Sequence, residues 1–127
     1  VHALTDVTGF GLLGHLLEIC KGSGVAAHLD WDKLPVLPGA LELAREGFTT
    51  GASKRNFAGY GDRISLSPSI DEAGKALLTD PQTSGGLLVS CAPESVDEVL
   101  AIFAADGFGR AAVIGDVVTG EPGVRVD

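Results

Sequence analysis

Asp6, flanked by the hydroxyls of Thr5 and Thr8, is the first carboxylate of the chain. It lies in Thr5-Asp6-Val7-Thr8-Gly9-Phe10-Gly11-Leu12-Leu13-Gly14-His15, where an apolar helical period begins. The mouth of a helix offers unpartnered backbone N–H groups and the positive end of the macrodipole, so anions settle there. Asp6 at such a mouth has two readings. It is a capping carboxylate worth about 0.3–1 kcal/mol, or it binds a hard cation such as Mg2+ that bridges to a nucleotide phosphate, since magnesium takes one or two carboxylates plus substrate oxygens. The frequency of Asp and Thr at N-caps favours the cap.

Two further clusters carry chemical groups. Lys54-Arg55-Asn56, flanked by Gly51 and Gly59, could hold phosphate through a planar guanidinium, a point charge and an amide, or could be two solvated cations in a loop. In Asp80-Pro81-Gln82-Thr83-Ser84-Gly85-Gly86, the hydroxyls of Thr83 and Ser84 and the flexible glycines allow close approach of backbone N–H groups to a ligand. The same loop also reads as pure architecture, with Pro81 fixing a turn, Asp80 capping it and Gly85-Gly86 admitting a packed neighbour. There is no Walker A pattern, and Gly9-Phe10-Gly11-Leu12-Leu13-Gly14 fits the dinucleotide spacing without a convincing strand before it. His2, His15 and His28 are too far apart for a local zinc motif. His15 reads as a surface or supporting residue, and Trp31 and Tyr60 as core or rim.

Periodicity places these groups. Leu12, Leu13, Leu16, Leu17 and Cys20 recur at helical spacing from Gly9 to Gly22, with Gly11, His15, Glu18 and Lys21 opposite. Gly14 inside that helix points to a close neighbour. Further helices are expected over Leu37–Gly47, over Ser69–Leu78 begun by Ser69 or Asp71, and over Pro93–Gly107. Strands are expected over 25–31, 62–67, 86–91 and 111–118, the last turning through Gly120-Glu121-Pro122-Gly123 into Val124-Arg125-Val126 as a closing hairpin. Phe48–Gly61 shows no clean period and reads as an active-site type of loop with at most a turn of helix. Interleaved helices and strands with that hairpin predict an α+β fold, a mixed and largely antiparallel sheet packed with helices.

The 127 residues, 45% of them hydrophobic, suit one domain spanning 1–127. Nine basic against seventeen acidic residues give a net charge of −8, which argues against nonspecific nucleic-acid or anionic-membrane binding and suggests metal ions as mediators toward phosphate. No apolar run approaches the ~20 residues of a membrane span and no signal peptide is visible, so a cytoplasmic location is expected. Cys20 and Cys91, in apolar settings, read as free thiols. The absence of Met and the start at Val1 lead to the expectation of a piece of a longer protein.

The opening Ala3–His15 motif, Gly51-Ala52-Ser53-Lys54-Arg55-Asn56, Asp80–Gly86 and the closing Ala112-Val113-Ile114-Gly115-Asp116-Val117 together resemble the C-terminal domain of the selenophosphate synthetase family, across nearly the whole chain. The Asp80–Gly86 type of loop is shared more widely, with aminoimidazole ribonucleotide synthetase among others. The resemblance implies a two-domain enzyme that makes selenophosphate, AMP and orthophosphate from ATP, selenide and water. It implies Asp6 as a Mg2+ ligand and a nucleotide held in a cleft against an N-terminal domain. That domain would supply the other metal aspartates, the catalytic Cys or selenocysteine with its Lys, and most of a homodimer contact. Thr8 and Gly9 would then lie near phosphate, with Lys54, Arg55, Asn56, Thr83 and Ser84 as further nucleotide contacts, and the fragment alone would be inactive. The rival readings are a sister enzyme of thiamine-phosphate kinase or aminoimidazole ribonucleotide synthetase type, and a noncatalytic binding module.

Overall fold

The computed structural model describes residues 1–127. The chain runs β1 (Ala3–Asp6), α1 (Gly11–Ser23), β2 (Ala26–Leu29), α2 (Ala40–Arg45), α3 (Gly51–Tyr60), β3 (Ile64–Leu66), α4 (Glu72–Leu78), β4 (Leu87–Ser90), α5 (Val96–Ala105), β5 (Gly115–Val118) and β6 (Gly123–Val126). Short 3-10 turns at Trp31–Lys33, Gly61–Arg63 and Pro93–Ser95 account for expected elements that are shorter than their patterns.

Four strands form one sheet in the order β3-β6-β2-β5, and β1 pairs with β4 in a separate ribbon. β6 runs parallel to both β3 and β2, whereas β5 is antiparallel to β2, as β1 is to β4. The sheet is therefore mixed and packed with helices, as expected of the α+β class, with two of its three ladders parallel and the antiparallel pairing confined to β2–β5 and the separate ribbon. Alternation puts Ala27 and Leu29 beside their register partners Val124 and Val126 on one face. That face meets the stripe Leu13, Leu16, Leu17 and Cys20 of α1, and these eight side chains are the centre of the core. α1 ends where the N–H of Gly24, in the left-handed region at φ 66°, donates to the Cys20 carbonyl. Burial pushes the Cys20 thiol up from its ordinary pKa, and both cysteines are free. No helix is long and apolar enough to cross a membrane.

Two expectations are corrected. β5 and β6 are not a hairpin; they flank β2 on opposite sides. Val124 and Val126 are both buried, so their strand takes an interior position, while Val117 and Val118 of β5 stay exposed at the edge. Phe48–Gly61 is not a loop either, because Gly51–Tyr60 forms α3. The Thr50 side chain accepts from the Ser53 N–H at 3.1 Å and starts the helix. Its inward stripe, Ala52, Ser53, Asn56, Phe57 and Tyr60, has helical spacing but is half polar, so a search for apolar residues passes over it. By contrast α4 begins at one of its two expected caps: Asp71 accepts from the Gly74 N–H at 2.9 Å.

Candidate functional site

Two loops, Val7–Phe10 and Thr79–Gly86, are locked side by side. The Val7 N–H donates to the Gly86 carbonyl at 2.9 Å, and the Thr8 carbonyl accepts from both Gln82 and Gly11, each at 3.0 Å. At one end of this seam Gly11 has φ 71°, and a Cβ there would come within 2.7 Å of the Thr79 carbonyl carbon. At the other end a Cβ on Gly85 would overlap the Val7 carbonyl oxygen. The glycines thus serve packing between the loops, and Thr83 and Ser84 form the exposed tip between the two anchors, free of side-chain hydrogen bonds.

Asn56 staples the seam from α3. Its amide donates to the Gly9 carbonyl at 2.9 Å and to the Thr79 carbonyl at 3.0 Å, so both of its hydrogens are committed to the scaffold. Beneath it, Ser53 Oγ donates to the Ala76 carbonyl at 2.7 Å and lies 2.9 Å from Thr79 Oγ1, in the buried angle between α3 and α4. Tyr60 closes the third side by donating to the Phe10 carbonyl at 2.6 Å. Burial pushes the phenol pKa to about 12, so it remains a donor at neutral pH. Tyr60 also supplies the close neighbour expected at Gly14, where a Cβ would meet its ring at 2.9 Å.

Asp6 ends β1, opposite Leu87 in register, with its carboxylate exposed and in no hydrogen bond or ion pair. It caps nothing. α1 starts only at Gly11, its N-cap is Phe10, and no side chain caps it. A strand does precede the Gly9–Gly14 glycines, contrary to the expectation. Yet β1 and β2, on either side of α1, lie in different sheets, so no βαβ dinucleotide unit exists. Of the two readings of His15, surface or supporting, the structure sets aside the first: the residue is buried, with Nε2 3.0 Å from Thr8 Oγ1. The turn that precedes α1 brings Thr8 back over the ring.

The three α3 residues part company. Neighbouring side chains stand about 100° apart around a helix. Arg55 is exposed and without an ion pair, one step from Asn56. Lys54, about 200° from Asn56, lines instead a cleft of about 370 Å3 between α2, α3 and α4, together with Thr50, Phe57, Glu72 and Lys75. The structure therefore gathers Asp6, Thr8, Gly9, Asn56, Thr83 and Ser84 at one seam, puts Arg55 on the adjoining surface and leaves Lys54 outside it. Tyr60, Ser53 and Thr79, which shape the seam, are not evident from sequence alone; the polar stripe on α3 is the signal that would have revealed the first two.

No cluster of three or more His, Cys, Asp or Glu side chains exists that could hold a metal ion. A resident all-protein metal site does not fit this chain. One free carboxylate does fit magnesium's habit of binding through one or two carboxylates, with phosphate oxygens and waters completing the shell. Partial burial raises the Asp80 carboxyl pKa above its ordinary value.

A family model described as AIR synthase related protein, C-terminal domain, matches residues 1–127. The chain belongs to this family. As an AIR synthase related C-terminal domain it is 60% identical over 126 residues to a selenide, water dikinase of Paraburkholderia xenovorans and 56% identical to one of Dechloromonas aromatica. It is 44% identical over the same length to a selenide, water dikinase of Rhizobium meliloti. In each case the match takes in 99% of this chain but only 36% of the relative's length. Among solved structures, a thiamine-monophosphate kinase from Stenotrophomonas maltophilia matches 99% of this chain and 31% of its own, with a TM-score of 0.63 at 23% identity. That likeness concerns the fold.

Proposed function

We propose that this domain is the C-terminal portion of a selenide, water dikinase, and that it supplies one wall of an interdomain site where ATP, selenide and water become selenophosphate, AMP and orthophosphate. The observation that carries the reading is Asp6: an exposed carboxylate with no partner in its own chain, at the edge of a rigid seam, in a domain 44–60% identical to proteins bearing that name. Asp6 would contribute one ligand to Mg2+, which when bound offsets the charge of the phosphates. Arg55 and the exposed tip at Thr83 and Ser84 would meet phosphate, stabilising charge as phosphoryl transfer requires. Thr8 and Gly9 line the same edge, Asn56 holds it in shape, and Lys54 takes no direct part.

The missing wall would be the protein's own N-terminal domain, lying over the outer face of the β1–β4 ribbon. Opposed residues of an antiparallel pair share a face, so Leu4, Val89, Asp6 and Leu87 point together, and Leu4 and Leu87 are exposed. Two bare leucines around the free carboxylate suit a docked domain better than water. A cytoplasmic homodimer, joined mainly through the N-terminal halves, completes the proposal.

In the full-length protein, Asp6→Ala should abolish selenide-dependent AMP formation while leaving thermal unfolding unchanged, and the 127-residue chain alone should form none. Retained activity in Asp6→Ala would sink the assignment. ATP turnover indifferent to selenide would move the protein to a sister enzyme of the thiamine-phosphate kinase or aminoimidazole ribonucleotide synthetase type.

A further inference from the structure

His15 is the one buried side chain in the molecule whose polar atom lacks a hydrogen bond: its Nδ1 has none, and the residue is only 9% exposed. The Glu18 carboxylate, one turn along α1, stands 3.3 Å from that nitrogen, within ion-pair reach but off the direction of a hydrogen bond. On the other side of the ring, Nε2 meets Thr8 Oγ1 at 3.0 Å, and the Phe10 ring tilts across it at 5.8 Å between centroids. The result is a row of hydroxyl, imidazole and carboxylate leading from the seam to the surface.

A neutral imidazole carries one proton, and the negative charge of a carboxylate 3.3 Å from Nδ1 favours that proton on Nδ1 even off the line of a hydrogen bond. With the proton on Nδ1, Nε2 can only accept, so Thr8 must point its single hydrogen into the ring. The lone pairs of Thr8 Oγ1 then face away from His15. A hydroxyl in that state repels a phosphate oxygen and welcomes a water proton.

We propose that His15, oriented by Glu18, fixes the Thr8 hydroxyl as an acceptor, so that Thr8 serves the hydration shell of the cation at Asp6 and makes no direct bond to phosphate. His15 is thus a positioning residue acting through Thr8. The inference rests on the Asp6 reading above and assigns Thr8 to one side of that site.

Nitrogen-15 shifts of the His15 ring in the full-length protein read the tautomer directly. A bare Nε2 and protonated Nδ1 are expected, and a protonated Nε2 overturns the proposal. Mn2+ titration followed by electron paramagnetic resonance, with a non-hydrolysable ATP analogue present, reads the consequence. Thr8→Val and His15→Leu should each weaken Mn2+ by roughly threefold to tenfold, the effect of one lost hydrogen bond. The double variant should lose no more than the worse single one, and His15→Gln, whose amide oxygen can accept in place of Nε2, should recover most of the affinity. Additive losses, or weaker nucleotide binding with Mn2+ affinity unchanged, overturn the proposal. Thr8→Val, at a half-buried position, carries the test even if His15→Leu fails to fold. Asp6→Ala separates the two levels: if it leaves Mn2+ binding unchanged, the functional reading fails, whereas a large Asp6 effect beside a silent Thr8→Val defeats only the present inference.

Discussion

Helices α1 and α5 look alike as sequence and differ completely as structure. Both show strong apolar character with a Gly past the end, and α5 adds Pro93 and acidic residues at its start. α1 buries seven of its thirteen residues, and α5 buries none. On α5, Val96, Val99, Leu100 and Phe103 form a half-buried stripe, while Ile102 is 59% exposed. The difference lies in what surrounds each helix. α1 has a sheet beneath it, α3 and α4 beside it, and a stapled loop at its head. Periodicity therefore specifies a helix and its inward face, whereas depth depends on how many other elements converge on it.

Truncating a side chain where that convergence is greatest should have the largest effect. Leu17→Ala, at a side chain 1% exposed, is expected to cost about 2–5 kcal/mol in urea unfolding. A smaller loss would mean that the core around α1 collapses into the gap and is less rigid than its packing implies. Asn56→Ala removes the staple at the head of α1 and should cost about 1–3 kcal/mol, from two hydrogen bonds of about 0.5–1.5 kcal/mol each. Faster amide exchange at Gly11 and Gln82 would show the seam loosening with it.

A third effect appears only in acid. The Gly74 N–H, and after it Arg45, hold the Asp71 carboxyl below its ordinary value of 3.8. Its ionised form therefore stabilises α4, a side support of α1, above the unfolded pKa, and that contribution is lost as the pH falls through the lower, folded one. Asp71→Asn keeps the capping oxygen but cannot titrate, so stability measured downward from about pH 4 should fall less steeply than in the parent. An unchanged slope would remove Asp71 from the acid response. Least of all, Ile102→Ala on α5 should stay within about 0.5 kcal/mol. A larger loss in the 127-residue chain would erase the contrast between the helices.

What the sequence made legible follows the same division. The face of α1, the Asp71 cap and the mixed α+β class were readable because apolar spacing and capping chemistry are local signals. α3 was hidden because its inward residues, Ser53 and Asn56, are satisfied by carbonyls of Ala76, Gly9 and Thr79 that lie far along the chain. The placement of β6 between β3 and β2 was hidden for a related reason, since alternation marks a strand but names no neighbour. At the candidate site the residue types were visible, but their sorting was not: Asn56 could not be seen as a staple, nor Lys54 as lining the neighbouring cleft, until α3 was known to be a helix. The choice between a surface and a supporting His15 was not legible, because Thr8 and the Phe10 ring that cover it are placed only by the fold.

The interior position of β6 has a consequence for biosynthesis. β2 emerges from the ribosome nearly a hundred residues before the strand that will lie beside it, and β3 about sixty before. Until Val124 and Val126 are translated, each of these early strands leaves a row of backbone donors and acceptors bare on its inner side, open to pairing with other nascent chains. Assembly of the sheet is thus a late and slow step set by long sequence separation.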